Sequence, residues 1–171
     1  MKYTSAEANK LIRKLEEKIS MLLNAERKSY VFNAAAGEDV EALRPEYSFS
    51  ETQAKLEALQ QKIRTVKHAV NEFNLSTELP GFPGLTIDQA LVLIPQLGHR
   101  KSMLKEMAGK LPREREVSFG RSNIIDYVIT NYNIDEVTTK YNEVNDYVMA
   151  LQIALDTVNT TETMEIDVTL D

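Results

Sequence analysis

The chain has 171 residues, of which 43% are hydrophobic and 27% charged, and its formal net charge is −6. This length and balance predict one helical-bundle or globular domain over residues 1–171, with room for a sizeable core. The absence of cysteine excludes disulfides, iron–sulfur clusters, thiolate zinc sites and cysteine nucleophiles.

The first predicted element is an amphipathic helix near the N-terminus. Its apolar residues step by three and four along one side, at Ile12, Leu15, Ile19 and Leu22. A long irregular loop follows over residues 31–49, with one helical turn expected around Asp39–Leu43. The narrow apolar seam of the first helix is typical of helices that pack nearly parallel or antiparallel to one another.

A second helix repeats the same spacing at Leu56, Leu59, Ile63, Val66, Val70 and Phe73. Two capping boxes could start it, either Ser48 with Glu51 or Ser50 with Gln53. Residues 74–85 then form a turn that is rich in proline and glycine.

A third long helix is predicted from Thr86 toward Lys110, with Gln89 completing a capping box at its start. Pro95 falls inside this helix and has no backbone N–H to donate. We therefore expect a kink or a restart at that position.

Alternating apolar residues predict a β-hairpin next, over about 113–131. Val117 and Phe119 precede a turn near 120–123, and Ile125, Tyr127 and Ile129 follow it at period two. The hairpin is an insertion before the last helix.

The last helix has the cleanest seam, with apolar residues stepping by four and three from Val137 to Val158. Asn133 and Glu136 can cap its start. The tail alternates from Met164 to Leu170 and predicts a C-terminal β-strand. That strand needs a partner in residues 74–85, near the N-terminus, or on another subunit, and we favour another subunit.

The predicted fold is therefore mostly α: a long antiparallel four-helix, coiled-coil-like bundle with a small β-hairpin and a C-terminal β-strand. Long seams and a strand without an obvious partner both favour a homo-oligomer.

Catalytic and cofactor motifs are missing from the sequence. The two histidines, His68 and His99, lack the Glu-x-x-His spacing of di-iron bundles, because Thr65 and Gln96 stand where the glutamates would be. There is no dinucleotide fingerprint, phosphate-binding loop, zinc-protease motif or serine elbow. We expect no enzyme activity, no metal and no cofactor.

The N-terminal sequence, the length of the apolar runs and the net charge predict where the protein is located and which macromolecules it binds. The polar start of the chain does not predict a signal peptide, and the longest apolar run, Ala90–Ile94, is far too short to span a membrane. The sequence thus predicts a cytoplasmic protein. The net negative charge argues against nucleic-acid and membrane partners.

One segment reverses the charge of the chain. Residues 99–121 carry seven basic and three acidic residues, whereas residues 122–171 carry ten acidic residues and one lysine. One explanation is electrostatic pairing between these two segments. The other is an anion site, since alternation places Arg113 and Arg115 on one strand face and Glu114 and Glu116 on the other.

Guanidinium groups suit bidentate recognition of phosphate or carboxylate, and nearby aromatic rings can stack on a ligand ring. The predicted ligand-binding residues are Arg100, Lys101, Arg113, Arg115, Arg121, Asn123 and Tyr127. They predict a protein that senses or sequesters a small anionic, nucleotide-like ligand. The alternative is a structural or adaptor bundle whose basic segment pairs with the acidic last helix of a neighbouring subunit or partner.

Two stretches of the chain resemble a known group of proteins. "VNEFNLST…LTIDQAL", followed by the basic helix, and "GRSNIIDYVITNYNIDEV…LQIALDTVNTTETMEID" are similar to the septicolysin-like family of small helical bacterial proteins. The resemblance covers nearly the whole chain and includes Arg121 and Ser122. It implies a helical fold and no activity, because the family has no established biochemical function. Tyr127 and Glu162 occupy regions where some relatives carry tryptophan.

Overall fold

The computed structural model describes residues 1–116 and 126–169. Its elements are, in chain order, β1 (Lys2–Thr4), α1 (Ser5–Ser29), α2 (Val40–Leu43), α3 (Phe49–Ser76), α4 (Ile87–Ala108), β2 (Arg113–Arg115), β3 (Tyr127–Ile129), α5 (Ile134–Thr161) and β4 (Thr163–Glu165). The predicted mostly α fold with a small hairpin and a C-terminal strand is confirmed.

The chain divides into two compact units, each described here by itself. The first unit combines Met1–Ser76 with Asn159–Asp171, and the second is Thr77–Val158. The packing of the four long helices as one coiled-coil-like bundle in a single domain stays a prediction.

The first unit is built on the pair of helices α1 and α3. A capping box starts α1: the Glu7 N–H donates to Thr4 Oγ1 at 3.2 Å, and the Thr4 N–H donates to Glu7 Oε2 at 2.9 Å. The second of these bonds stabilises the carboxylate and lowers the pKa of Glu7. At the start of α3, the Glu51 N–H donates to Ser48 Oγ at 3.4 Å, so Ser48 is the cap of the two that the sequence offered.

The core of this unit joins the two helices to the C-terminal tail. Its buried residues are Ala8, Leu11, Ile12, Leu15, Val66, Met164, Ile166 and Val168. The predicted alternation of the tail is confirmed as far as Val168, since Glu165 and Asp167 between these residues are exposed. Leu170 lies outside the described residues.

The C-terminal strand pairs within its own chain. β4 runs antiparallel to β1, with Lys2 opposite Glu165 and Thr4 opposite Thr163. The Ile166 N–H extends the ladder by donating to Met1 O at 2.9 Å. Our preference for a partner on another subunit is wrong, because the N-terminal residues satisfy the strand while its apolar side enters the α1–α3 core.

The second unit is built on α4 and α5. Thr86 and Gln89 form the predicted capping box of α4, and Asn133 Oδ1 accepts the N–H groups of Asp135 and Glu136 at the start of α5. The α4 helix continues through Pro95, so the restart considered there does not occur.

The core of the second unit lies between these two helices. Buried Leu104 of α4 clusters with Val137, Val144 and Val148 of α5. In the described part of the chain, no helix has both the length and the apolar character that crossing a membrane requires.

Candidate functional site

The candidate site is the two-stranded ribbon of β2 and β3, which the structure places where the hairpin was predicted. Arg113 lies opposite Ile129, Glu114 opposite Val128, and Arg115 opposite Tyr127. Because side chains alternate between the faces of a ribbon, both arginines share one face with Tyr127, and Glu114 lies on the other. We call this face the arginine face; it comprises Arg113, Arg115, Tyr127 and Ile129.

Backbone hydrogen bonds bring the side chains of this face close together. The Glu116 N–H donates to Asp126 O at 2.9 Å, and the Thr130 N–H donates to Pro112 O at 3.2 Å. Arg113 and Arg115 alternate with these hydrogen-bonded positions. They therefore occupy non-hydrogen-bonded pairs, in which facing side chains approach most closely.

Arg113 is held against the ring of Tyr127. Its guanidinium carbon lies 3.6 Å from the ring centroid, so the cation covers one face of the aromatic ring. Stacking uses the flat side of the guanidinium and leaves its in-plane N–H groups free to donate. One face of Tyr127 thus supports Arg113, and a stacked ligand ring would need the opposite face.

The ribbon is exposed, and its charges lack ionic partners in the described part of the chain. Tyr127 is 44% exposed, and Arg113 and Arg115 are both exposed. No ion pair among the described residues involves either arginine. The arginine face is therefore open to an anion from solution.

A partly buried hydrogen bond positions the ribbon beside α4. The hydroxyl of Tyr132 donates to the carbonyl of Met107 at 2.8 Å, in the last turn of the helix. Tyr132 lies three residues after the end of β3, so this bond ties the exit of the ribbon to the C-terminus of α4.

Of the other predicted site residues, the structure describes Arg100 and Lys101, which lie on α4. Arg100 and Lys101 lie about two turns before the C-terminal end of α4. Arg100 donates to Met103 Sδ at 3.6 Å, and neither residue has an ion pair in the described part of the chain. Arg121, Asn123 and the predicted turn lie outside the described residues.

Electrostatic pairing between the basic segment and the acidic end of the chain stays a prediction. The lysine of α5, Lys140, forms an ion pair with Glu143 of the same helix at 2.8 Å. The described residues also contain no group of three or more acidic, histidine or cysteine side chains that could hold a metal ion.

Sequence reasoning missed a polar recess between α1 and α3. Its cavity volume is about 370 Å³, and Glu26, Glu46, Tyr47 and Glu51 line it. The Tyr47 hydroxyl donates to Glu26 Oε1 at 2.7 Å, and this bond raises the pKa of Tyr47 because it favours the protonated phenol. No sequence motif connects these positions, since Tyr47 lies in an irregular loop.

Comparisons with known proteins give a fold and no activity. No family model matches the sequence, and no curated protein matches it significantly. The chain is similar in structure to a protein described as a functionally unknown conserved protein from Corynebacterium diphtheriae, with 18% identity and a TM-score of 0.57. The match covers 96% of this chain and 100% of that chain. The septicolysin-like resemblance stays a prediction.

Proposed function

We propose that this protein is a non-enzymatic, cytoplasmic homo-oligomer that binds a small anionic, nucleotide-like ligand at the arginine face. The observation that carries the proposal is the stacking of Arg113 on Tyr127 beside Arg115. Binding without conversion suits sensing or sequestration.

Preorganisation supports this role. A free arginine side chain loses rotamer freedom when it grips a ligand, which costs about 0.5–1.5 kcal/mol. Stacking on Tyr127 orders Arg113 before the ligand arrives and lowers that cost. Arg115 extends the same face, so two guanidinium groups offer several N–H donors to the oxygens of one phosphate or carboxylate.

The chemistry of the face supports retention of the ligand. Among its described residues there is no pairing of a nucleophile with a general base, which acyl or phosphoryl transfer would need. These residues can therefore bind a ligand through charge and ring stacking, but they supply no group that would react with it.

The proposal is tested by titrating the full chain with inorganic phosphate, pyrophosphate and mono- and dinucleotides, using calorimetry and thermal shift. A ligand that binds the native state should raise the melting midpoint with its concentration. Arg115→Ala should weaken binding by about ten-fold, the loss expected for a hydrogen bond to a charged group.

Arg13→Ala is the matched control, because it removes an exposed arginine from α1 in the other unit. It should leave the affinity unchanged. The proposal fails when no anion shifts the midpoint, or when both arginine substitutions weaken binding equally.

A second candidate function is the adaptor bundle, in which the basic segment meets the acidic last helix of a neighbour. It is favoured by the opposite charges of the two segments, since residues 99–121 carry seven basic and three acidic residues and residues 122–171 carry ten acidic residues and one lysine. In that case Arg113→Ala and Arg115→Ala should dissociate the oligomer, as measured by light scattering, and no anion should bind.

A further inference from the structure

A small recess lies between β1 and the first half of α1, within the first unit. We call it the lysine recess; its volume is about 260 Å³, and its lining residues are Lys2, Tyr3, Glu7, Lys10, Leu11 and Lys14. The four residues from α1 recur at helical spacing, so they share one face of the helix beside the short strand. Three of the six side chains are lysines, although the chain as a whole is acidic.

The lysines of this recess are open to a ligand. All three are exposed, and none forms an ion pair within the part of the chain that the structure describes. Lys2 lies opposite Glu165 in the β1–β4 ribbon, and these two residues are also not ion-paired there. The pKa of Glu7 is lowered chiefly by its hydrogen bonds to Thr4 and less by the charge of Lys10. Lys10 is therefore not committed to that carboxylate.

The carboxylate of Glu7 is already engaged by the helix cap. Its Oε2 accepts the Thr4 N–H at 2.9 Å and the Thr4 hydroxyl at 3.2 Å. The described lining of the recess thus has three lysines and one glutamate, a net charge of three minus one, or +2. This charge is complementary to a dianion.

An apolar wall stands beside the positive charges. Leu11 is 3% exposed, and the half-buried ring of Tyr3 packs against the core of the unit. The Tyr3 hydroxyl donates to Met1 Sδ at 3.2 Å. At about 30 Å³ for each water, the recess has the volume of about eight or nine water molecules, which is room for an anionic group and a small apolar group together.

We propose that the lysine recess binds a phosphate monoester, with the phosphate among Lys2, Lys10 and Lys14 and the organic group against Tyr3 and Leu11. A phosphate monoester carries close to two negative charges at neutral pH and offers three acceptor oxygens. Each of those oxygens can accept a charge-assisted hydrogen bond from an ammonium group. A carboxylate or a sulfate ester has one negative charge, which leaves half of the excess positive charge unmatched.

This site does not rest on the proposed function. The lysine recess belongs to the first unit, whereas the arginine face belongs to the second. The two sites also differ in chemistry, because compact ammonium groups surround the recess and planar guanidinium groups form the arginine face.

The first test compares phenyl phosphate with phenyl sulfate, which has the same ring and one charge less. Calorimetry on the full chain at about pH 7.5 and low salt should show phenyl phosphate binding at least about ten-fold more tightly. Its affinity should fall with added sodium chloride. It should also fall up to about ten-fold at about pH 5, where the ester is a monoanion and the lysines are still charged.

The second test removes single lysines from the recess. Lys10→Ala and Lys14→Ala should each weaken the binding of phenyl phosphate by about ten-fold, the loss expected for one hydrogen bond to a charged group. Lys28→Ala is the matched control, because it removes an exposed lysine from the last turn of the same helix, and it should leave the affinity unchanged. Circular dichroism melts establish that each variant is folded.

Phosphatidate vesicles distinguish a lipid from a soluble ligand, since the phosphatidate headgroup is itself a phosphate monoester. Binding of phenyl phosphate in solution assigns a soluble ester. Cosedimentation with the vesicles that is lost in Lys14→Ala, without binding of phenyl phosphate, assigns the lipid headgroup.

Three results overturn the proposal. They are no binding of either probe at about 10 mM phosphate ester, equal affinity for phenyl phosphate and phenyl sulfate, or lysine variants that bind like the Lys28→Ala control. Arg115→Ala separates this outcome from the proposed function. Anion binding that is lost in Arg115→Ala and kept in Lys14→Ala overturns the recess and supports the arginine face, and the reverse result supports the recess alone.

Discussion

Tyr127 determines how the guanidinium of Arg113 is held on the arginine face. The ring supports the guanidinium from one side at 3.6 Å, and the contact is exposed to solvent. A cation over an aromatic ring at an exposed site contributes about 0.5–1 kcal/mol. Under the proposed function, part of the anion affinity would therefore depend on a residue that need not touch the ligand.

Two substitutions at position 127 separate support from direct contact. Tyr127→Phe keeps the ring, so anion affinity measured by calorimetry should stay within about two-fold. Tyr127→Ala removes the support, and the affinity should fall about two- to five-fold while Arg115 still binds. Equal losses in both variants would show that the hydroxyl, and not the stacked ring, matters.

At the scale of elements, the sequence predicts most where a periodic pattern is long. The seams of α1, α3 and α5 and the caps at Ser48, Thr86 and Asn133 all agree with the structure. Of the kink or restart expected at Pro95, the restart does not occur, because the loss of one N–H donor does not by itself end a helix, and α4 runs from Ile87 to Ala108.

Short strands carry no periodic pattern of apolar residues from which they could be predicted. β1 has three residues, too few to show an alternating pattern, so the partner of β4 could not be chosen from sequence. The arginine face was predictable because alternation of Arg113, Glu114 and Arg115 sorts charge by face. The stacking of Arg113 on Tyr127 depends on the register between two strands, which alternation alone does not set.

The two ribbons of the molecule differ in what their side chains do, and this difference predicts their contributions to stability. Ile166, next to β4, is 1% exposed in the core of the first unit, whereas Val128 of β3 is 52% exposed. Ile166→Ala should cost about 2–5 kcal/mol because it leaves a cavity among packed residues. Val128→Ala should change stability by about 0.5 kcal/mol or less.

Urea unfolding of both variants measures this contrast. The midpoint should drop for Ile166→Ala with an unchanged slope, and Val128→Ala should overlay the unmodified chain. A large loss at Val128 would mean that the β2–β3 ribbon is covered in solution, in contrast to its exposure here.

At the scale of the whole molecule, the two units differ in how the chain builds them: one is a single continuous segment, and the other combines both ends of the chain. The second unit, Thr77–Val158, is continuous in sequence, and its α4–α5 cluster uses only residues of that unit. The first unit combines residues from both ends of the chain. Three of the eight buried residues in its core cluster, Met164, Ile166 and Val168, come from the C-terminal tail.

This difference between the two units predicts how fragments of the chain behave. A fragment of residues 77–158 should keep a helical spectrum and melt cooperatively, because the helices that pack together stay together. A fragment of residues 1–76 should be far less stable, since it loses those three core side chains and leaves β1 without a partner. Adding a peptide of residues 159–171 should restore its helicity in a saturable titration followed by circular dichroism, whereas the same peptide with Ile166→Ala should restore less. A fragment 1–76 that melts like the intact chain would show that the tail contributes little to the core it joins.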